Sequence, residues 1–557
     1  MIFRTLPPTA QHAVAALALA TAASGALAQA QPAPLRNSAT PAQAASAPAP
    51  ALSALPPANP KFVLREVRFT PTLAVPTRDL QAAVKPFIGR EIDAVELTVL
   101  SATLRRVYED RGYGLAGVGF PPQDLSQGVL QVTVVEPRLE RITLETSPTA
   151  PISLARTEAV LANSGVRKGG ALDLQSLDRA MFTLNDWPGV AAKATLVPTG
   201  DEGAYNVNIQ TEPRRGWDAS VDADNHGSAA SGRYRLGALL RWNNPSGRGD
   251  NLDLRVMASN GRGTTVGRLG YETPIGATPW RVGLGFARVG YELGEQFESL
   301  NAVGSANVFD ASLSYPFVRS REGNLVGRLA LVNKGLVDEF SGDGFTDTTD
   351  KTVRAADFSV SFESRSTWGG GGFNGGNVGL QFGRLIIDTE ARRAADAALG
   401  DGATQGNFTK LSAQLTRLQA VTRTVSLFAG VAGQWASKNL DNAEKLTLGG
   451  DKGVRAYPSS EGASDVGALF NAELRYWIGP QWTSYVFYDV GYGRLQRRPI
   501  NPAEDNTRTL HGAGLGIQYT NPDLFTLKAS LAVRGSEPVR TEEDARTRLL
   551  VQVSHSF

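Results

Sequence analysis

The sequence predicts a mainly β protein: a 16-stranded antiparallel transmembrane β-barrel, preceded by two small α+β modules of order β-α-α-β-β. Three observations predict it. After Arg214-Arg215-Gly216 helical patterns cease, and roughly 340 residues read as repeated segments of about ten, the length of a tilted strand crossing an outer membrane. Those segments alternate apolar with polar or small residues, so one face suits lipid and the other water. Upstream of them, one strand–helix–helix–strand–strand order occurs twice, at a spacing of roughly 75 residues.

The chain is 557 residues long, enough for several domains. It has no Cys, which excludes disulfides and thiolate metal sites. Its net charge of +2 argues against a nucleic-acid partner. Residues 1–28 read as a secretory signal peptide. Arg4 supplies a positive start, 13–23 an Ala/Leu/Val core, and Ala26-Leu27-Ala28 a small-residue cleavage site. No apolar run has the length of a helical span, so export leads to the periplasm, the outer membrane or the medium. Residues 29–60, with Pro48, Pro50, Pro56, Pro57 and Pro60, form an Ala/Pro-rich linker.

The first module covers 61–137. Phe62–Thr70 alternates as a strand, helical patterns follow at 77–87 and 93–111, Gly112 stops the second helix, and strands follow at 113–120 and 129–136. The second module covers 138–213. It repeats the order with a strand at Leu139–Glu145, helices at 153–163 and 173–186, and strands at 190–198 and 204–212. The modules end alike, in Val135-Glu136-Pro137 and Thr211-Glu212-Pro213. A small sheet covered by helices on one face keeps an open edge, and such an edge accepts an extended peptide by strand addition.

The barrel covers 214–557. Strands are expected near 216–224, 233–242, 251–259, 264–273, 280–291, 305–315, 324–336, 353–363, 376–388, 408–419, 424–434, 468–477, 483–491, 510–520, 525–535 and 546–557. Short turns on one side alternate with long loops on the other, at 337–352, 389–407, 435–467 and 492–509, as in outer-membrane barrels. On 233–242, Tyr234, Leu236, Leu240 and Trp242 alternate with Arg233, Arg235, Gly237 and Arg241. Trp242, Trp280, Trp477 and Trp482 fall near strand ends, where interfacial aromatics belong.

One loop and one strand carry the candidate site. Within 435–467 lies Leu446-Thr447-Leu448-Gly449-Gly450-Asp451-Lys452-Gly453-Val454-Arg455-Ala456-Tyr457. Its glycines allow sharp bends. If the loop folds back into the lumen, Arg455 needs a carboxylate. Phe487-Tyr488-Asp489-Val490-Gly491 supplies one, since Val486, Tyr488, Val490 and Tyr492 form a lipid face and Phe487, Asp489 and Gly491 the lumen face. Glu473 has the same phase on the preceding strand and is a second possible partner. In a wet lumen such a pair fixes loop position more than it stabilises.

LGGDKGVRAY resembles the LGG…VRGY loop of the two-partner secretion transporters, the ShlB/FhaC/HecB-like (TpsB) family, and FYDVG resembles the F-x-D-x-G strand motif of the same superfamily. The resemblance covers about 61–557. It identifies the modules as POTRA domains in the periplasm and the terminal Phe557 as an assembly signal read by the barrel assembly machinery. It implies a protein-conducting pore in the outer membrane of a Gram-negative cell, in contact with outer-membrane lipids. Its partner would be a large secreted β-helical exoprotein of the adhesin or haemolysin type. Some members place a plug helix where this chain has its linker; here Pro41 interrupts the short helix available at 35–47. Ala456 stands where the family has Gly; if that position required positive φ, Ala would cost roughly 1 kcal/mol.

Enzymatic motifs are missing. There is no G-x-S-x-G elbow, and His12, His226, His511 and His555 have no paired ligand spacing. Asp343, Asp347 and Asp350 fail the calcium-loop pattern. No catalytic residue, cofactor or metal is expected. An insertase that assembles other barrels and a passive porin are the alternatives; two modules rather than more favour secretion.

Overall fold

The computed structural model describes residues 61–146, 149–261, 263–342 and 345–557. The expected signal peptide and the Ala/Pro-rich segment before residue 61 lie outside the described residues.

The first module contains β1 (Phe62–Val63), β2 (Glu66–Phe69), α1 (Thr77–Val84), β3 (Glu91–Ile92), α2 (Ala94–Glu109), β4 (Gly117–Gly119) and β5 (Val129–Val135). The second contains β6 (Arg138–Thr146), α3 (Leu154–Asn163), α4 (Leu174–Asp186), β7 (Val190–Pro198) and β8 (Ala204–Pro213). Each builds a three-stranded sheet, ordered β2-β5-β4 and β6-β8-β7. The central strands β5 and β8 run parallel to β2 and β6 and antiparallel to β4 and β7. Asp93 caps α2, accepting from the N–H groups of Val95 and Glu96, and Asp173 caps α4 through the N–H of Gln175. The single strand expected over Phe62–Thr70 is instead split. Leu64, fully buried, turns into the core between the pieces, and β1 pairs with the short β3.

The apolar faces close two separate cores. Leu80, Leu100, Leu104 and Tyr108 fill the first with Leu130 and Val132. Leu161, Leu177, Leu184 and Trp187 fill the second with Val207 and Ile209. Glu136, in the link between modules, accepts the N–H groups of Leu73 and Ala74 and the Tyr108 hydroxyl.

The barrel strands are β9 (Trp217–Asp224), β10 (Arg235–Asn243), β11 (Asn251–Ser259), β12 (Thr264–Pro274), β13 (Arg281–Glu292), β14 (Val303–Arg319), β15 (Gly323–Gly342) and β16 (Phe345–Ser366). They continue through β17 (Gly372–Ile387), β18 (Gly406–Ala420), β19 (Val425–Ala436), β20 (Val466–Trp477), β21 (Trp482–Arg494), β22 (Thr507–Asn521), β23 (Phe525–Arg534) and β24 (Thr547–Ser556). All sixteen pair antiparallel in sequence order, and β24 closes on β9 from Gln552↔Asp224 to Ser556↔Ser220. Among the described residues the barrel sheet has no free edge, which suits a hydrocarbon surround.

Much of the expected 337–352 loop is strand, because β15 and β16 pair from Gly323↔Ser364 out to Gly342↔Phe345. The β-branched and polar alternation of Val337 to Thr352 supports a hairpin in water as well as in lipid. The 389–407 loop carries α5 (Glu390–Ala397). Trp217 stacks on Trp242 with centroids 4.9 Å apart, and Trp482 packs on Tyr519 at 4.8 Å, in an aromatic rim at the module side. The second module docks on the turns of that rim. Arg319 pairs with Asp186 through both carboxylate oxygens, Asn244 donates to the Pro151 carbonyl at 2.6 Å, and Asn163 to the Ala277 carbonyl at 3.0 Å.

Candidate functional site: a loop pinned inside the lumen

Between β19 and β20 the chain re-enters the barrel and reaches its inner wall. The tip from Leu448 to Tyr457 folds on itself. The Gly450 N–H donates to the Tyr457 carbonyl at 3.0 Å, and the Val454 N–H donates to the Leu448 carbonyl at 2.8 Å. Gly450 has φ +98°, and a Cβ on Gly449 would lie 2.0 Å from the Pro458 carbonyl oxygen. Those two positions therefore require glycine. Val454, Ala456 and Tyr457 are buried against Leu469, Tyr485, Phe487 and Leu510 of the wall. The Tyr457 hydroxyl donates to the Glu537 carbonyl at 2.9 Å.

Arg455 is held from three directions. Its Nε and Nη2 donate to the two oxygens of Asp489 at 2.9 and 2.8 Å, and its own backbone N–H donates to Oδ2 at 3.1 Å. Nη1 donates to Glu473 at 2.5 Å. The guanidinium lies 3.6 Å from the centroid of the Phe487 ring. Asn471 donates both to Asp489 and to the Gly453 carbonyl, at 2.8 Å each, and so ties the tip backbone to the same carboxylate. Arg475 balances the second acid, donating to Glu473 Oε2 at 2.8 Å. The side chains of Arg455, Asp489 and Glu473 are 5%, 0% and 6% exposed. The cluster is dry. The expectation of a wet, weakly stabilising pair is therefore corrected: removing one member leaves buried charges unpartnered, at about 3–5 kcal/mol. That is comparable with burying one or two of the apolar tip side chains, about 1.5–3 kcal/mol each.

Ala456 has no positive φ, so the strain considered for a non-glycine residue there is absent. Its space comes from Gly512 on the facing strand, where an added Cβ would lie 2.6 Å from the Ala456 Cβ. Gly491 leaves similar room: a Cβ there would meet Val454 at 3.1 Å. Phe557 lies apart from this site. Its N–H donates to the Ala219 carbonyl at 2.9 Å, Arg215 donates to its carbonyl, and its ring is exposed.

Two further attachments of the loop were not anticipated from the sequence. Glu461 receives Arg508 at 2.5 Å together with the N–H groups of Arg540 and Thr541. Nearer the outer mouth, Glu444 sits between Lys334 and Lys410, at 2.5 Å from each, and Asp441 pairs with Lys351 at 2.9 Å. Burial alone would raise the Glu444 carboxyl, but the two ammonium groups outweigh it and hold it at about 2. Lys334 and Lys410 face inward among apolar wall positions, and that phase was the available signal. Beside them Leu440 and Ala443 of the loop join Tyr291, Leu336, Leu385 and Phe408 in an apolar cluster that fills the outer lumen. Among the described residues there is no grouping of side chains suited to a metal.

A closed barrel preceded by two α+β modules, the second docked on its turns, with a loop pinned in its lumen defines the class of outer-membrane barrels with POTRA domains. Comparison with known proteins agrees. The family described as haemolysin secretion/activation protein ShlB/FhaC/HecB matches residues 203–519, and the ShlB-type POTRA domain matches 62–137. The chain belongs to the ShlB/FhaC/HecB family. It is 25% identical over 465 residues to the heme/hemopexin transporter protein HuxB of Haemophilus influenzae (strain 86-028NP), covering 82% of this chain and 80% of that protein. It is 24% identical to the outer membrane transporter CdiB of Dickeya dadantii, covering 75% of this chain and 73% of the relative. The solved structure of CdiB from Escherichia coli superposes with a TM-score of 0.73 at 20% identity, over 100% of both chains. BamA from Haemophilus ducreyi lacking POTRA domains 1–3 shares the fold at a TM-score of 0.51, 12% identity, over 89% of this chain and 100% of that chain. The chain is an outer-membrane transporter of the two-partner secretion type with periplasmic POTRA domains, rather than an assembly insertase or a porin.

Proposed function

We propose that this transporter takes one unfolded exoprotein, a large β-helical chain of the adhesin or haemolysin type, and passes it through the barrel past the loop of 435–467. In this reading residues 61–137 and 138–213 are the two POTRA units that receive the substrate, and 214–557 is the conduit. The edge strands β2 and β4, and the parts of β6 and β7 beyond the segment 169–172 and the Asn185 side chain that cover Leu139 and Ala192, offer backbone groups for strand addition, which tolerates varied side chains and suits an unfolded substrate. Arg455, Asp489 and Glu473 act as a positional lock for the loop, framed by Gly449, Gly450, Val454, Ala456, Tyr457, Phe487 and Gly491. The role is mechanical, and no residue is assigned a catalytic task. The drive is folding of the substrate outside, where burial of its apolar surface makes return negligible.

The observation that carries this reading is the buried contact of Arg455 with both acids, which spans from loop to wall inside the barrel. The experiment compares proteins in the medium of cells with and without the gene, then with Arg455→Ala. Loss of one large protein in both, with the variant barrel still heat-modifiable in the membrane, is expected. An unchanged set of secreted proteins in the gene deletion would contradict the reading.

A further inference from the structure

On β15 to β18 the lipid-facing stripe carries, toward the outer mouth, a row of two guanidinium groups flanked by amides. On β16 the exposed Val360 and Phe358 give way to Arg354; on β17, Val378 and Phe382 give way to Arg384. Their inward neighbours Val353, Ala355 and Leu385 are buried, which fixes both guanidinium-bearing residues on the outer face. Arg354 stands directly opposite Arg384 in the ladder. Asn333 adjoins Arg354 on β15, and Asn407 adjoins Arg384 on β18. All four are exposed. Further round, Arg288 donates to Asn307 at 3.3 Å.

Like charges directly opposite in a ladder repel, and Arg on a lipid face is costly except near an interface. Neither Arg354 nor Arg384 has a carboxylate partner among the described residues. The nearest acids of the same phase, Asp350 and Asp388, lie four positions further along their strands, about 13 Å by strand rise, and Asp388 already accepts from Thr352. The pair is therefore complementary to an external anion. Opposed side chains start about 5 Å apart, so two planar forks can bracket one phosphate. Below them an apolar groove of about 810 Å³ runs along the outer wall, lined by Leu331, Asn333, Arg354, Ala356, Phe382 and Phe309 among others.

We propose that Arg354 and Arg384 hold the phosphate of an acylated glycolipid of the outer leaflet, lipid A being its anchoring part, with an acyl chain in the groove beneath. This rests on the barrel's place in the outer membrane and not on what it secretes. The phosphate supplies the missing counter-charge, and the acyl chain distinguishes a lipid from free phosphate.

The test titrates the full-length, delipidated protein in detergent with lipid A and reads bound lipid by native mass spectrometry. Lipid A should bind at least about tenfold more tightly than its dephosphorylated form, an arm that needs no variant. It should lose a similar factor in Arg354→Ser/Arg384→Ser, verified as folded by heat-modifiability, and none in Arg423→Ser, a cation exposed in a turn at the opposite rim. Equal binding of the dephosphorylated lipid, or of the double variant, would overturn the site. Displacement by inorganic phosphate at the same concentration as lipid A, or equal binding of phosphatidylglycerol, would overturn the glycolipid as its occupant.

Discussion

At the scale of single residues, the tip works by steric exchange as much as by charge. Ala456 fits because Gly512 has no side chain, not because its own backbone is unusual. Gly512→Ala should therefore push the tip off the wall at a cost of about 1–3 kcal/mol. Adding Ala456→Gly should recover most of it, since the clashing Cβ is then gone. Protease accessibility of the loop in the native, membrane-inserted protein checks both: more cutting in the single variant, less in the double. Equal cutting in the two would show that the contact at this position does not seat the tip. Asp489 and Glu473 were legible as inward-phased acids from alternation along β21 and β20, whereas Arg455, on the loop between strands, was singled out by its glycine-rich motif and not by any phase. The space behind Ala456 was not, because Gly512 lies on another strand and periodicity says nothing of which lumen residue faces which loop atom.

At the scale of elements, the loop is attached at the outer mouth, at mid-length and at the tip. Its charge pairs give that attachment a pH dependence. Glu444 is held at about 2, below its ordinary 4.5, after Lys334 and Lys410 overcome the burial that would raise it. A depressed carboxyl contributes stability above its free value and loses it as pH falls. The contribution is thus full above about 4.5 and gone by about 2. Acidification across that window should increase open-channel events in planar bilayers, and Glu444→Gln should show frequent openings already at neutral pH with a flatter acid response. The same acid response in the variant would place the sensor elsewhere. Long, strongly alternating strands were legible in sequence. The β15–β16 hairpin beyond the membrane was not separable from a loop, since polar alternation serves a solvated strand and a solvated loop alike.

At the scale of the molecule, the second module touches the barrel turns through Arg319–Asp186 and Asn244–Pro151, so it is braced where a substrate would enter. Deleting 138–213 should abolish secretion while leaving a heat-modifiable barrel, because the barrel's pairing is complete without it. Normal secretion by a correctly inserted deletion variant would remove the capture role from that module. The two-module order was readable because helical periodicity, as at Leu174, Leu177 and Met181, alternates with strand-like runs in the same order twice. The docking of module on barrel was not, since it uses polar turn residues with no periodic signal. The measurement that tests the central claim most directly is a double-mutant cycle on secretion, with Arg455→Ala, Asp489→Ala and both together, each normalised to inserted barrel. Either single variant should cut secretion more than about tenfold, and the double should be little worse than either, as for groups that act through one contact. Losses that multiply in the double variant, or near-normal secretion in either single, would contradict the account.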